Sequence, residues 1–147
     1  MLHILLEPYK IVLASASPRR QELLKMLQIP CTIRVSDVAE PITDDDPAVQ
    51  AMNHARNKAL AIAQSSATND IVVAADTIVV LDNQIIGKPE NVAMAAKYLG
   101  LLSDREHAVI TGICIFHQGL VYCDHEHSLV QFGELSQAEI AEYIASG

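Results

Sequence analysis

Tryptophan is absent from this sequence, and aromatic residues make up only 4% of it. The core is therefore aliphatic, built from Val, Ile, Leu and Ala. Cysteine is also sparse. Cys31, Cys114 and Cys123 are odd in number and lack metal-type spacing. That argues against a disulfide-stapled secreted scaffold and fits a reducing, cytoplasmic compartment. Basic residues are outnumbered, 10 Lys and Arg against 18 Asp and Glu, for a formal net charge of -8. Broad binding to nucleic acid needs a basic surface that displaces counterions, so that class is set aside. A small anionic ligand stays open, because a local pocket can be basic on an acidic protein. No apolar run is long enough to span a bilayer. Met1 to Leu6 is apolar but short, with no basic n-region and no small-residue cleavage site, so neither a signal peptide nor a membrane span is expected.

What is present suits one globular unit. The chain has 147 residues, 50% of them hydrophobic and 19% charged, which reads as a single domain over 1–147 with a real core. Lys10 to Ala14 is a short apolar run, expected as a buried strand. A helix should follow, with Ser17 as cap, Pro18 at its first position and Leu23, Leu24 and Leu27 on its apolar face. Cys31 to Val35 reads as the next strand. Asp46 should cap a second helix whose apolar side carries Val49, Met52, Leu60 and Ile62. Ile71 to Ala75 reads as a central strand, interrupted at Asp76-Thr77 and resumed over Ile78 to Leu81. Asp82-Asn83 suits a tight turn into Gln84 to Ile86. Val92 to Leu102 reads as a third helix. His107 to Phe116 and Leu120 to Cys123 read as paired strands around Gln118-Gly119, and Ser136 with Glu139 forms a capping box for a last helix ending near Gly147. This order of strands and helices implies an α/β fold.

Several groups could carry chemistry. Arg19 and Arg20 lie in the first turn of the first predicted helix, where the macrodipole prefers anions. With Ser15 they suit a phosphate, which helix N–H groups and guanidinium forks both attract; a capped helix with solvated arginines is the commoner reading. Asp76, after an apolar strand, could activate water or hold a metal, or merely end the strand. Lys88, between Gly87 and Pro89, could neutralise a phosphate chain or be an ordinary loop lysine. Glu40 and Lys58 are further candidates, each normally a solvated charge. His125 and His127 lie on one side of a predicted strand, but with no third ligand in view they read as exposed polar residues.

Read together, these pieces resemble one family. Ile11 to Leu24 (IVLASASPRRQELL) looks like the opening signature of the Maf, or septum-formation-inhibitor-like, family. Ala74 to Val80 resembles its second motif and Ile86 to Pro89 its third. Leu102-Ser103, His107 and Thr111-Gly112 resemble the stretch that follows. The resemblance implies a mixed sheet flanked by helices with a phosphate-binding cleft, similar to the inosine triphosphatase group. It implies hydrolysis of nucleoside triphosphates to the monophosphate and pyrophosphate with a divalent metal, Mg or Mn. It also implies a homodimer and a role in cleansing the nucleotide pool, with a link to arrest of cell division. Asp76 matches the acidic catalytic residue, Glu40 with Asp76 the metal ligands, and Ser15, Arg19, Arg20, Lys58 and Lys88 the substrate-binding positions. Arg20 and Thr77 match the branch that prefers dTTP and UTP, so Thr77 joins the substrate set. The family's Gly-rich closing segment is not matched after Ala145-Ser146-Gly147, and reduced activity and stability are expected from that. A non-catalytic nucleotide-binding regulator, or the same reaction on another base, is the alternative.

Overall fold

The computed structural model describes residues 2–146. Its elements run α1 (Leu2–Leu6), β1 (Ile11–Leu13), α2 (Pro18–Met26), β2 (Cys31–Ile33), α3 (Pro47–Ala63), β3 (Ile71–Leu81), β4 (Gln84–Ile86), α4 (Val92–Leu102), β5 (Glu106–His117), β6 (Leu120–Gln131) and α5 (Gln137–Ala145). The strand order is β2-β1-β3-β5-β6, with β4 paired to β3. β1 runs parallel to both its neighbours, with Ile11 opposite Cys31 on one side and Ile71 on the other. β4 is antiparallel to β3. A mixed sheet flanked by helices is the α/β class that the sequence implied.

Local chemistry explains most elements. β1 has parallel partners on both edges and all three residues buried, which is why it reads as an unbroken apolar run. Asp82 and Asn83 take φ of 49° and 62°, the left-handed pair that a two-residue hairpin turn requires. Gln118 and Gly119 do the same between β5 and β6, with φ of 48° and 82°. α5 begins with the full Ser136–Glu139 capping box. Gly147, where the sequence places the end of that helix, lies outside the described residues.

Several expectations change, and β6 continues to Gln131 rather than ending at Cys123. The α1 helix has no counterpart in the sequence pattern. β3 is one strand of eleven residues rather than two halves, because burial alternates straight through Asp76. The leucine face of α2 is not a core face, since Leu23 and Leu27 are both exposed. On α3 the buried residues are Gln50, Ala51, His54, Ala55, Lys58, Ala59 and Ile62, while Val49 is exposed.

The chain divides into two compact units. The first holds the residues up to Asp76 together with Thr111–Glu126. Its core joins Val12, Ala14, Val72 and Ala74 from the strands to Ala55, Ala59 and Ile62 of α3, with Cys114 of β5. Here Gly112 meets α3 so closely that a Cβ would fall 2.5 Å from the Met52 nitrogen and against the Ala51 carbonyl. Only glycine fits that approach. The second unit holds Thr77–Ile110 and the residues from His127 onward. In it α4 lies against α5, His107 meets Phe132 edge-on, and Arg105 pairs with Asp82 at 2.6 Å.

Candidate active site

Within the first unit, the pleat of β3 decides what reaches the core side. Val72, Ala74 and Asp76 alternate with less buried neighbours and share one face. The first two are apolar and join the core; the third is a carboxylate, only 6% exposed. A buried carboxylate needs partners. Lys58 Nζ donates to Asp76 Oδ1 at 2.7 Å, and His54 Nδ1 lies 3.0 Å from Asp76 Oδ2.

Both partners come from α3, and the helix period explains how. Ala51, Ala55 and Ala59 recur at every fourth position and are fully buried. Their small side chains let the helix approach the sheet. One residue ahead of each lies a second stripe, Gln50, His54 and Lys58, polar and also buried. Each of the three reaches the segment between β2 and α3. Lys58 Nζ pairs with Glu40 Oε1 at 2.5 Å. His54 Nε2 lies 3.0 Å from the Pro41 carbonyl. Gln50 accepts from the Thr43 N–H at 3.0 Å and donates to the carbonyls of Thr43 and Asp45 at 3.0 and 2.7 Å. A segment with no regular structure is thereby docked by three side chains on successive turns of one helix.

The phosphate candidate meets the same strand. Ser15 follows β1 and is buried. Its Oγ accepts from the Ser17 N–H at 3.2 Å and from Arg20 Nη1 at 3.1 Å. Arg20 Nη1 also donates to the Ala75 carbonyl at 2.7 Å, one peptide before Asp76. The guanidinium is thus braced against the residue preceding the central carboxylate. Ser17 occupies the N-cap position with extended φ and ψ, but its side chain makes no capping hydrogen bond. The expected hydroxyl cap is therefore absent: the Ser17 N–H turns back to Ser15 instead. Arg19 is exposed in the first turn of α2, which contains no acidic residue.

Of the residues named from sequence, the structure brings Ser15, Arg20, Glu40, Lys58 and Asp76 into one hydrogen-bonded set around the Ala75-Asp76 step, with Arg19 beside it on α2. Thr77 and Lys88 belong to the second unit, where both are exposed. His125 and His127 are exposed on β6. Sequence reasoning missed His54 and Gln50. The readable signal was their spacing: polar residues at every fourth position leading to Lys58, in a helix whose alanines follow the same period.

Two carboxylates facing one point are hard oxygen donors of the kind Mg or Mn takes. Here an ammonium bridges them, and among the described residues no three side chains of ligating type converge. As donor types the Glu40 and Asp76 carboxylates are compatible with such an ion, and both now pair with Lys58.

The α/β fold thus sets the basic start of α2 beside a buried, lysine-paired carboxylate. The family model described as "Maf-like protein" matches residues 10–147. A Bacillus mycoides protein named dTTP/UTP pyrophosphatase is 43% identical over 138 residues, spanning 93% of this chain and 72% of the relative. A protein of that name from Bacillus cereus is 44% identical over the same shares. The chain belongs to the Maf family. The solved structure of a HAM1 protein from Coxiella burnetii shares the fold, with a TM-score of 0.54 at 18% identity over 84% of this chain and 72% of that one.

Proposed function

We propose that this protein hydrolyses nucleoside triphosphates, dTTP and UTP above all, to the monophosphate and pyrophosphate. The observation that carries the reading is the buried Asp76 carboxylate, held by Lys58 and His54 one peptide away from the carbonyl that braces Arg20. The names of the bacillary relatives supply the substrate class.

In this mechanism the phosphate chain is drawn to the start of α2, where backbone N–H groups, Arg19 and Arg20 favour an anion. Lys88 adds charge from its loop, and Thr77 contributes to base preference. Asp76 accepts a proton from water and orients its oxygen toward the α-phosphorus. The P–O bond to the β-phosphate breaks, and basic side chains stabilise the departing pyrophosphate. A divalent ion, Mg or Mn, held by Glu40 and Asp76 would neutralise phosphate charge and supply Lewis acidity. Lys58 serves the carboxylates when no substrate is present and a phosphate oxygen when one is.

A cytoplasmic setting and a homodimer belong to the same proposal. Among the described residues the cysteines are unpaired and no helix is long and apolar enough to cross a membrane. β6 stands at the end of the strand order, and a terminal strand has a backbone edge that a partner strand can pair with. Free nucleotide rather than nucleic acid suits a net charge of -8.

The test is pyrophosphate release from a panel of nucleoside triphosphates with Mg or Mn. Turnover of dTTP and UTP ahead of the purine nucleotides supports the reading. Tight binding without turnover would replace it with a nucleotide-binding regulator.

A further inference from the structure

His54 does two things at once. Its Nδ1 faces Asp76 Oδ2 and its Nε2 faces the Pro41 carbonyl, each at 3.0 Å, with the residue only 8% exposed. Both oxygens accept hydrogen bonds, and the carboxylate is the stronger acceptor, so the proton on Nδ1 is the one the site rewards most. Pro41 directly follows Glu40. The ring therefore ties the residue after one carboxylate to the other carboxylate, and so helps set their separation. Lys58 also bridges the pair, but a flexible ammonium is a compact point charge with rotatable donors. The planar imidazole, held at both nitrogens, fixes direction as well as distance. Gln50, one turn earlier, anchors Thr43 and Asp45, downstream of Pro41 and further from the carboxylates.

We propose that His54 is a positioning residue for the hydrolysis, locking the Asp76 carboxylate in its water-orienting direction and clamping the Glu40 segment at its working distance. The inference rests on the pyrophosphatase reading above. Catalytic geometry is sensitive to displacements of about 1 Å, which cost on the order of 10²-fold in rate. Loss of either contact should therefore appear in kcat, because the phosphate grip proposed for Arg19 and Arg20 does not depend on it.

Three variants separate the two halves of the contact. In His54→Asn the side-chain amide reaches the Nδ1 position and can serve Asp76. In His54→Gln it reaches the Nε2 position and can serve Pro41. His54→Leu serves neither. Each is assayed on dTTP with Mg for kcat and KM, and for melting temperature. Leu should lower kcat by about tenfold or more, with KM within about threefold of the parent, while Asn, which keeps the Asp76 contact, and Gln, which keeps the Pro41 contact, each recover part of kcat. Parental kcat in all three variants, or kcat losses that simply track melting temperature with no recovery by Asn, would overturn the inference.

A second readout does not depend on turnover. Nitrogen-15 spectra of the histidine rings in the parent should show a protonated Nδ1 in His54, assigned by its loss in His54→Asn, and Asp76→Asn should shift that resonance. No shift would sink the inference even where the parent is active. If the parent turns over neither dTTP nor UTP, the functional reading has failed, and this spectrum alone decides whether His54 holds Asp76.

Discussion

Helices α2 and α3 open alike, with a capping-type residue followed by proline, Ser17-Pro18 and Asp46-Pro47. Their starts then differ. Asp46 accepts from the N–H groups of Ala48 and Val49 at 2.9 and 3.4 Å. Those donors are spent, and α3 turns its chemistry to its flank, where Gln50, His54 and Lys58 face inward. Ser17 makes no side-chain cap, and the first turn of α2 carries two arginines and no acid. Its helix start is electropositive and is not closed by a side chain. One helix end is finished structure; the other is laid out for an anion. The same dipeptide pattern thus serves stability in one place and binding in the other, and the residues after the proline separate the two.

The comparison can be broken first at the carboxylate that α3 holds, next to the Ala75 carbonyl bonded by Arg20 of α2. Asp76→Asn should reduce turnover at least about 10²-fold while leaving affinity for a non-hydrolysable triphosphate analogue largely intact. Near-parental activity in a pyrophosphate-release assay would remove Asp76 from the mechanism.

The binding role of the α2 start is tested next. Arg19→Ala should weaken analogue binding roughly tenfold at low salt, the worth of a charge-assisted contact, with little change in melting temperature. The deficit should shrink as salt rises, because screening weakens the parental contact as well. Calorimetric titrations giving equal affinities at low salt would rule the phosphate role out.

Cap removal sharpens the contrast directly. Asp46→Ala should cost about 1 kcal/mol in urea denaturation, the usual worth of a working cap. Ser17→Ala should stay within about 0.5 kcal/mol, since that hydroxyl caps nothing. Equal losses would mean that Ser17 caps α2 in solution.

The smallest expected effect sets a third helix start beside these two. The Ser136 hydroxyl, and then its N–H, hold the exposed Glu139 carboxyl below its ordinary 4.5. A lowered folded-state value means that the stabilisation is present above the ordinary carboxylate range and is lost as pH falls through the folded value. Glu139→Gln should therefore melt slightly below the parent at neutral pH, and the gap should close in acid. A gap that widens in acid would contradict the assignment.

Much of this was legible in the residues. The resemblance to the family's motifs named Ser15, Arg20, Glu40, Lys58 and Asp76 together, whereas local chemistry alone favoured a capped helix, a strand end and solvated charges. The turns at Asp82-Asn83 and Gln118-Gly119 were legible from their own turn-forming residues. The face of α3 was not. Its buried side combines alanines with three polar residues satisfied by distant partners, so a search for large apolar side chains selected Val49 instead. Asp76 resembled a strand break because a lone carboxylate belongs at an end; only Lys58 and His54, from another element, make it tolerable in mid-strand. The leucines of α2 resembled a core face, yet Leu23 and Leu27 are exposed. Hydrophobic spacing shows that a face exists, not what lies against it.

The most direct test of the central claim is the fate of the attacking oxygen. Hydrolysis of dTTP in oxygen-18 water, followed by mass spectrometry, should place the label in the monophosphate and leave the pyrophosphate unlabelled, as attack on the α-phosphorus requires. Label in the pyrophosphate, or release of orthophosphate and nucleoside diphosphate, would contradict the account.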